Sequence, residues 1–251
     1  MNRASVLGII LGLTAVFCGN LLEGGKFASV LQPTAAVTVF GGTFGATLLS
    51  FPMRDVRNAL VSLRAVFFEK RIRPEQYIDE CVRLSRVLRH RGLMAIEPEI
   101  PGMHSEFLKR GMRLISDHMN ARMLRETMEQ EVHTYEIEQK MIVRVFETAG
   151  GFAPTIGIIG AVLGLIHVME NLSDPGRLGA GIAVAFVSTI YGVGIANLVL
   201  LPIAKKLNNR LHRALQVREM IIEGVAGIQA GTHPHFLEQR LRCFLEKDDR
   251  R

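Results

Sequence analysis

The sequence predicts an all-α, polytopic membrane protein with about four transmembrane helices and a helical cytoplasmic domain. Three observations lead there. Four long windows contain no Asp, Glu, Lys or Arg, nearly all cationic side chains fall outside the two short loops joining those windows, and the remaining segments repeat apolar residues at helical spacing. The chain is 48% hydrophobic yet carries a net charge of +6, so apolar and charged residues must be segregated along it. That division is expected of a membrane protein with a substantial water-exposed part.

A spanning helix needs about 20 mostly apolar residues, because the hydrocarbon core is roughly 30 Å thick. The charge-free windows are Ala4 to Leu22, Phe27 to Met53, Thr148 to Met169 and Leu178 to Ala204. The third contains one titratable group, His167. The apolar run after Met1-Asn2-Arg3 is longer than a signal-peptide core and a second run follows at once, so it reads as an uncleaved anchor.

The connections set the orientation. The first two windows are joined by a short loop with Glu23 and Lys26, the last two by Glu170 to Arg177, which carries the turn signal Ser173-Asp174-Pro175-Gly176. Of 30 Lys and Arg, only Lys26 and Arg177 fall in these loops, and the positive-inside rule therefore places both termini and the large middle segment in the cytoplasm. The expected divisions are transmembrane helices one and two (residues 1–53), a cytoplasmic helical domain (54–146), transmembrane helices three and four (147–204) and a cytoplasmic tail (205–251). Lys and Arg are spread along helices and Trp is absent, so the basic balance reads as attraction to an anionic bilayer face rather than to nucleic acid.

Small residues mark the spans. Gly8/Gly12, Gly41/Gly45 and Gly160/Gly164 each place two glycines on one helix face, and such faces let backbones approach in lipid. Packing against another helix is expected above all for Gly160 and Gly164.

The cytoplasmic segments read as helices in turn. Val56, Leu60, Leu63 and Phe67 recur at helical spacing over Arg54 to Lys70. Pro74 suits the first turn of a second helix, with Ile78, Val82, Leu84, Val87 and Leu88 as a mixed apolar face and Gly92 as its C-terminal cap after Arg89-His90-Arg91. Glu97 to Gly102, with two prolines, reads as a loop. A helix from about Ser105 breaks near Asp117 to Asn120, and Arg122 to Glu147 then runs without Gly or Pro into span three. Lys205 to Gly224 continues span four, and Pro234 to Leu245 forms a short amphipathic helix.

Catalytic chemistry is not indicated. There is no Gly-rich phosphate loop, no zinc-ligand spacing, no nucleophile elbow and no paired catalytic carboxylates. Cys18, Cys81 and Cys243 are too dispersed for a disulfide framework or a metal site and read as apolar fillers. No cofactor is expected.

Span three, Ala149-Gly150-Gly151-Phe152-Ala153-Pro154-Thr155-Ile156-Gly157-Ile158-Ile159-Gly160-Ala161-Val162-Leu163-Gly164-Leu165-Ile166, and span four, with Val187-Ser188-Thr189-Ile190-Tyr191-Gly192 and Leu201-Pro202-Ile203-Ala204, closely resemble the MotA/PomA family of flagellar stator proteins. That family is grouped with ExbB and TolQ among ion-driven inner-membrane motors. The resemblance extends over essentially the whole chain and includes Ile221-Ile222-Glu223-Gly224-Val225-Ala226-Gly227-Ile228-Gln229 after span four. It implies an inner-membrane pentamer around two copies of a MotB-like partner, which contributes one span with an essential Asp and a peptidoglycan-binding domain. Ion flow then turns the pentamer, which drives the rotor ring through a switch-complex protein.

The residues carry a consistent physical reading. An ion crossing hydrocarbon needs groups that replace water, and no span here supplies a carboxylate. A proton route therefore needs a titratable group from a partner; His167, near the outer end of span three, reads as an interfacial side chain rather than a relay. Pro154 lies near the cytoplasmic start of span three and leaves the carbonyl of Gly150 without its usual donor. Pro202 does the same for Leu198 near the end of span four and can form a hinge. Both prolines match functional prolines of the resembled family, and Thr189 falls on its pore-lining threonine. Sodium-driven members carry a threonine where this chain has Ala161, so a proton is the expected coupling ion, sodium being less favoured, although Thr155 is a hydroxyl close by. Arg89 and Glu97 match the family's charged pair that engages the rotor. An ExbB/TolQ-type energiser of outer-membrane processes is the nearest competing reading, and a passive membrane scaffold is the bland one.

Overall fold

The computed structural model describes residues 3–24, 27–67, 73–170 and 175–245, and every described regular element is helical. They gather into two compact units, one drawn from residues 1–69 and 140–209, the other from 70–139 and 210–251.

The first unit holds the apolar spans. Helix α1 covers Arg3–Leu22. The second expected span is interrupted: a single turn, α2 (Phe27–Val30), is followed by Leu31 and Gln32 outside any helix, and the chain re-enters as α3 (Pro33–Ala36) with Pro33 in its first turn. From there it runs through a π turn, Val37–Gly41, into α4 (Gly42–Ser50). The span expected over Phe27 to Met53 is thus a helix from Pro33 to Ser50, about 27 Å long at 1.5 Å per residue. Proline explains the break, because it has no N–H to continue a helix and pushes the residue before it out of the α region. Gln32 is extended, with φ −115° and ψ 102°.

Buried residues in this span fall every fourth position, at Ala35, Val39, Thr43 and Thr47. An ideal α-helix would rotate such a repeat by about 40° per step. The wider π turn takes back part of that rotation and keeps the four on one face.

Tyr191 closes the break. Its hydroxyl donates to the Val30 carbonyl at 2.6 Å and accepts from the Gln32 N–H at 3.3 Å, while its ring stacks on Phe40 with centroids 5.7 Å apart. Backbone groups without partners are costly in hydrocarbon. Tyr191→Phe leaves two of them orphaned and is expected to destabilise the protein by about 2 kcal/mol, read as a lower melting temperature in detergent.

Helix α5 (Met53–Phe67) buries Val56, Ala59 and Val66 and half-buries Leu63, with Lys206 donating from its Nζ to the Val66 carbonyl at 2.9 Å. Leu60, expected on the inward face, is exposed; Ala59 takes its place, and the side chain of Phe67 lies outside the described residues. Residues 54–67 pack with the apolar spans, in a core that includes Val143, Phe146, Ile203 and Leu207.

Among the described residues, two helices are long and apolar enough by themselves to cross a membrane: α8 (Ala121–Glu170) and the continuous helix that includes Leu178–Gln229. The latter begins as α9 (Pro175–Ile195), passes a π turn at Ala196–Leu200 and continues as α10 (Leu201–Gln229). Of the turn expected at Ser173 to Gly176, Ser173 and Asp174 lie outside the described residues, as does Lys26, whereas Pro175 and Gly176 open α9. Large side chains on α8, including Ile158, Val162, Leu163 and Leu165, are more than half exposed. An apolar exterior of this extent is what a lipid-facing surface requires.

The second unit has a conventional core. Helix α6 (Pro74–Arg91) is capped by Gly92 at φ 77°, whose N–H donates to the Leu88 carbonyl at 2.9 Å. The segment expected as a loop, Glu97–Gly102, is a 3-10 helix, preceded by another at Leu93–Ala95. Its proline at the second position tolerates the missing N–H there. Helix α7 (Glu106–Ser116) starts with Ser105 accepting from the Leu108 N–H at 3.3 Å and ends before the left-handed His118. The tail helix α10 extends to Gln229, past the expected Gly224, and α11 (Pro234–Arg242) closes the unit. Within that extension Gly224 and Gly227 admit neighbouring side chains: a Cβ would lie 2.7 Å from the Cys81 sulfur at the first and 2.5 Å from Leu237 at the second.

Arg218 lies 3.8 Å from the ring centroid of Tyr135 and 5.0 Å from that of Phe107, with Glu131 at 3.7 Å. Glu223 accepts from Arg125 and Arg240, each at 2.5 Å, which ties α8, α10 and α11 together and holds the Arg125 guanidinium above its ordinary pKa.

Burial, reinforced by the neighbouring Glu80 carboxylate, pushes the Cys81 thiol from 9.0 up to about 12. The folded state favours the protonated thiol, so this contribution to stability is intact below about pH 9 and declines as pH rises from there through about 12. Maleimide at pH 8 should label exposed Cys243 and leave Cys81 unmodified until denaturant is added, as mass spectrometry of the two peptides would show.

Candidate functional site: the seam between the third and fourth spans

The seam between α8 and α9 is built by glycine. At Gly157 a Cβ would sit 2.9 Å from the Ser188 carbonyl oxygen, and at Gly192 one would sit 2.5 Å from that of Ala153. Farther along, a Cβ on Gly164 would meet the Ala185 nitrogen at 2.8 Å and the Gly181 carbonyl at 3.0 Å. Gly160 faces the side chain of Ser188 and the methyl of Thr38, so span two joins at the same level. Backbone thus meets backbone over more than two turns, where dispersion and small residues, not hydrophobic exclusion, hold helices together.

The two prolines converge on one end of this seam. Pro154 is half-buried within α8, which continues through it. Gly150, the residue whose carbonyl loses its donor to Pro154, lies against Leu201, with a would-be Cβ 2.7 Å from Leu201 Cδ2. Leu201 immediately precedes Pro202. A π turn precedes Pro202: the Leu201 N–H reaches back five residues to the Ala196 carbonyl, and position 202 has no N–H to donate to Leu198. Each proline therefore leaves a main-chain carbonyl available inside the spanning bundle.

Thr189 is half-buried and its hydroxyl donates to the Ala185 carbonyl at 3.4 Å; Thr155 is exposed and donates to Phe152 at 2.7 Å. Both hydroxyls place their hydrogen on their own helix and keep oxygen lone pairs for another partner. Thr189 touches the seam through Gly157, and Ala161 is half-buried one residue beyond Gly160. His167 is exposed near the end of α8, 3.8 Å from Glu170. Among the described residues of α1, α3, α4 and α9, and of α8 from Thr148 to Met169, there is no carboxylate.

Arg89 and Glu97 belong to the second unit. Both are exposed and neither forms an ion pair among the described residues. The neighbouring pair Arg83–Glu99 does. The sequence reading quoted Gly157, Tyr191 and Gly192 in its motifs but gave them no packing role, and it missed Gly181. Gly157, Gly160 and Gly164 at i, i+3 and i+7 were a usable signal, whereas nothing local marks Tyr191 as the partner of a break some 160 residues away.

Fold and site define an all-α membrane protein with hydroxyls and freed carbonyls along a spanning seam and no acid of its own there, the composition of an ion-path subunit. The description MotA/TolQ/ExbB proton channel family matches residues 99–220, and the motility protein A N-terminal family matches residues 6–92. The chain belongs to the motility protein A family. It is 32% identical over 100% of its length to motility protein A of Bacillus subtilis, covering 93% of that protein, and 29% identical over 100% to chemotaxis protein PomA of Vibrio alginolyticus, covering 98%. Among solved structures it is similar to C. jejuni MotAB, with TM-score 0.93 and 29% identity over 99% of this chain and 97% of the other. The flagellar MotAB stator complex from Bacillus subtilis matches at TM-score 0.91 and 31% identity over 99% and 98%.

Proposed function

We propose that this chain is the ion-conducting, torque-generating subunit of a flagellar motor stator, with the proton as coupling ion and a MotB-like, peptidoglycan-anchored subunit as partner. The observation that carries this reading is the seam itself: freed carbonyls at Gly150 and Leu198 and the hydroxyl of Thr189 lie beside spans that contain no carboxylate. Likeness to stator complexes over the whole chain supports it. The partner brings the acid. Its protonation neutralises a charge in a low-dielectric environment and changes which helix face it prefers, and several copies of this chain around the partner convert that preference into rotation.

Ala161 supports the proton. Stripping water from sodium requires several oxygen ligands, which a methyl group cannot supply, whereas a proton needs one titratable acceptor. The chain resides in the inner membrane with both termini cytoplasmic, as the distribution of Lys and Arg supports. Arg89 and Glu97 face the rotor, where exposed charges form and release contacts quickly and set register.

Complementation of a cell lacking its own stator, with this chain and its partner, tests the proposal. Swimming in sodium-free medium is expected. Swimming that needs sodium overturns the proton assignment, and paralysis in both media with both proteins inserted overturns the stator reading.

A further inference from the structure

Between Arg89 and Glu97, both exposed, the chain carries one apolar side chain that the fold does not use. Met94 is 88% exposed, more than any other large apolar side chain among the described residues of the second unit. Its turn is held firmly. Gly92 reverses the chain at φ 77°, Leu93 packs on the core, Ile96 is fully buried and Ile100 nearly so. The neighbours of Met94 are thus pinned inward while Met94 itself is held out in water, five residues after Arg89 and three before Glu97. Arg86 and Arg91 are also exposed, so the nearest exposed charges before Met94, on α6, are basic and the first one after it, Glu97, is acidic.

We propose that Met94 is the apolar anchor of the rotor-docking face. It enters an apolar recess on the rotor protein whose rim carries carboxylates toward Arg86 and Arg89 and a cation toward Glu97. This rests on the reading of Arg89 and Glu97 as rotor-facing. Interfaces concentrate their energy in a few buried anchors, while charges at the rim steer approach and fix register. Methionine suits a surface that must accept one rotor subunit after another, since its unbranched, flexible side chain adapts to recesses of varying shape.

The test uses full-length protein, with a fluorescent tag, in motile cells deleted for their own stator. Met94→Gln is expected to shorten the dwell time of stator units at the rotor about tenfold, the order set by losing one buried apolar side chain. Membrane level should stay unchanged and Met94→Leu should dwell as the unaltered protein does. Unaltered dwell in Met94→Gln, with shortened dwell in Arg89→Glu, would overturn the anchor and leave the docking face standing. Unaltered dwell in Met94→Gln, Arg89→Glu and Glu97→Lys alike would remove the docking face and the anchor with it.

Discussion

Gly192→Val is expected to abolish motility and to lower the melting temperature of the purified protein more than any other single change in the spans. A Cβ at this position would lie 2.5 Å from the Ala153 carbonyl oxygen and 3.0 Å from the Gly157 Cα. Both obstacles are backbone, so no rotamer change relieves the clash and α8 and α9 must move apart. Overpacking in a well-packed core costs about 1–3 kcal/mol, and separation here also forfeits the contacts at Gly157 and Gly164, which places the cost at the upper end or above. The internal control is Gly194→Ala: a Cβ there meets nothing within 4 Å, and alanine is the better helix former. Thermal unfolding in detergent and a soft-agar assay on both variants decide the matter. Equal behaviour of Gly192→Val and Gly194→Ala would mean that the close approach is not a requirement.

Pro154→Ala has the opposite signature. The alanine N–H can bond the Gly150 carbonyl, and in a helix interior alanine is about 3 kcal/mol more favourable than proline. Stability should therefore hold or rise, yet motility should be lost, because the carbonyl available inside the bundle is withdrawn. Thr189→Ala removes the seam's hydroxyl and should also paralyse at normal membrane level, with little change in melting temperature, since the bond it loses is a 3.4 Å contact within its own helix. A passive scaffold would tolerate both. Swimming by both variants at the rate of the unaltered chain would end the assignment of these residues to ion coupling.

Much of the architecture was legible because it rests on local chemistry. Charge-free windows are long enough to span lipid or they are not, and α1, α8 and α9 lie where the windows put them. The caps at Gly92 and Ser105 follow from backbone freedom and side-chain acceptors within a few residues. The candidate ion-path residues came from motif resemblance. The approach of Gly150 to Leu201, which brings the neighbourhoods of the two prolines together at one end of a glycine seam, is visible only in three dimensions.

What escaped the sequence reading has one cause. The break at Leu31 and Gln32 survives because Tyr191 supplies the missing partners; the π turn at Val37–Gly41 keeps a four-residue repeat on one face; a second π turn, at Ala196–Leu200, precedes Pro202; and Ala59, not Leu60, is buried on α5. Sequence by itself determined most of the helical segments, which windows are apolar enough to span lipid, and that no span brings an acid, since composition and spacing act over one or two turns. Only the tertiary structure decided which glycines touch, where helices widen and what closes the break before Pro33, because those depend on segments far apart in the chain meeting at backbone distance.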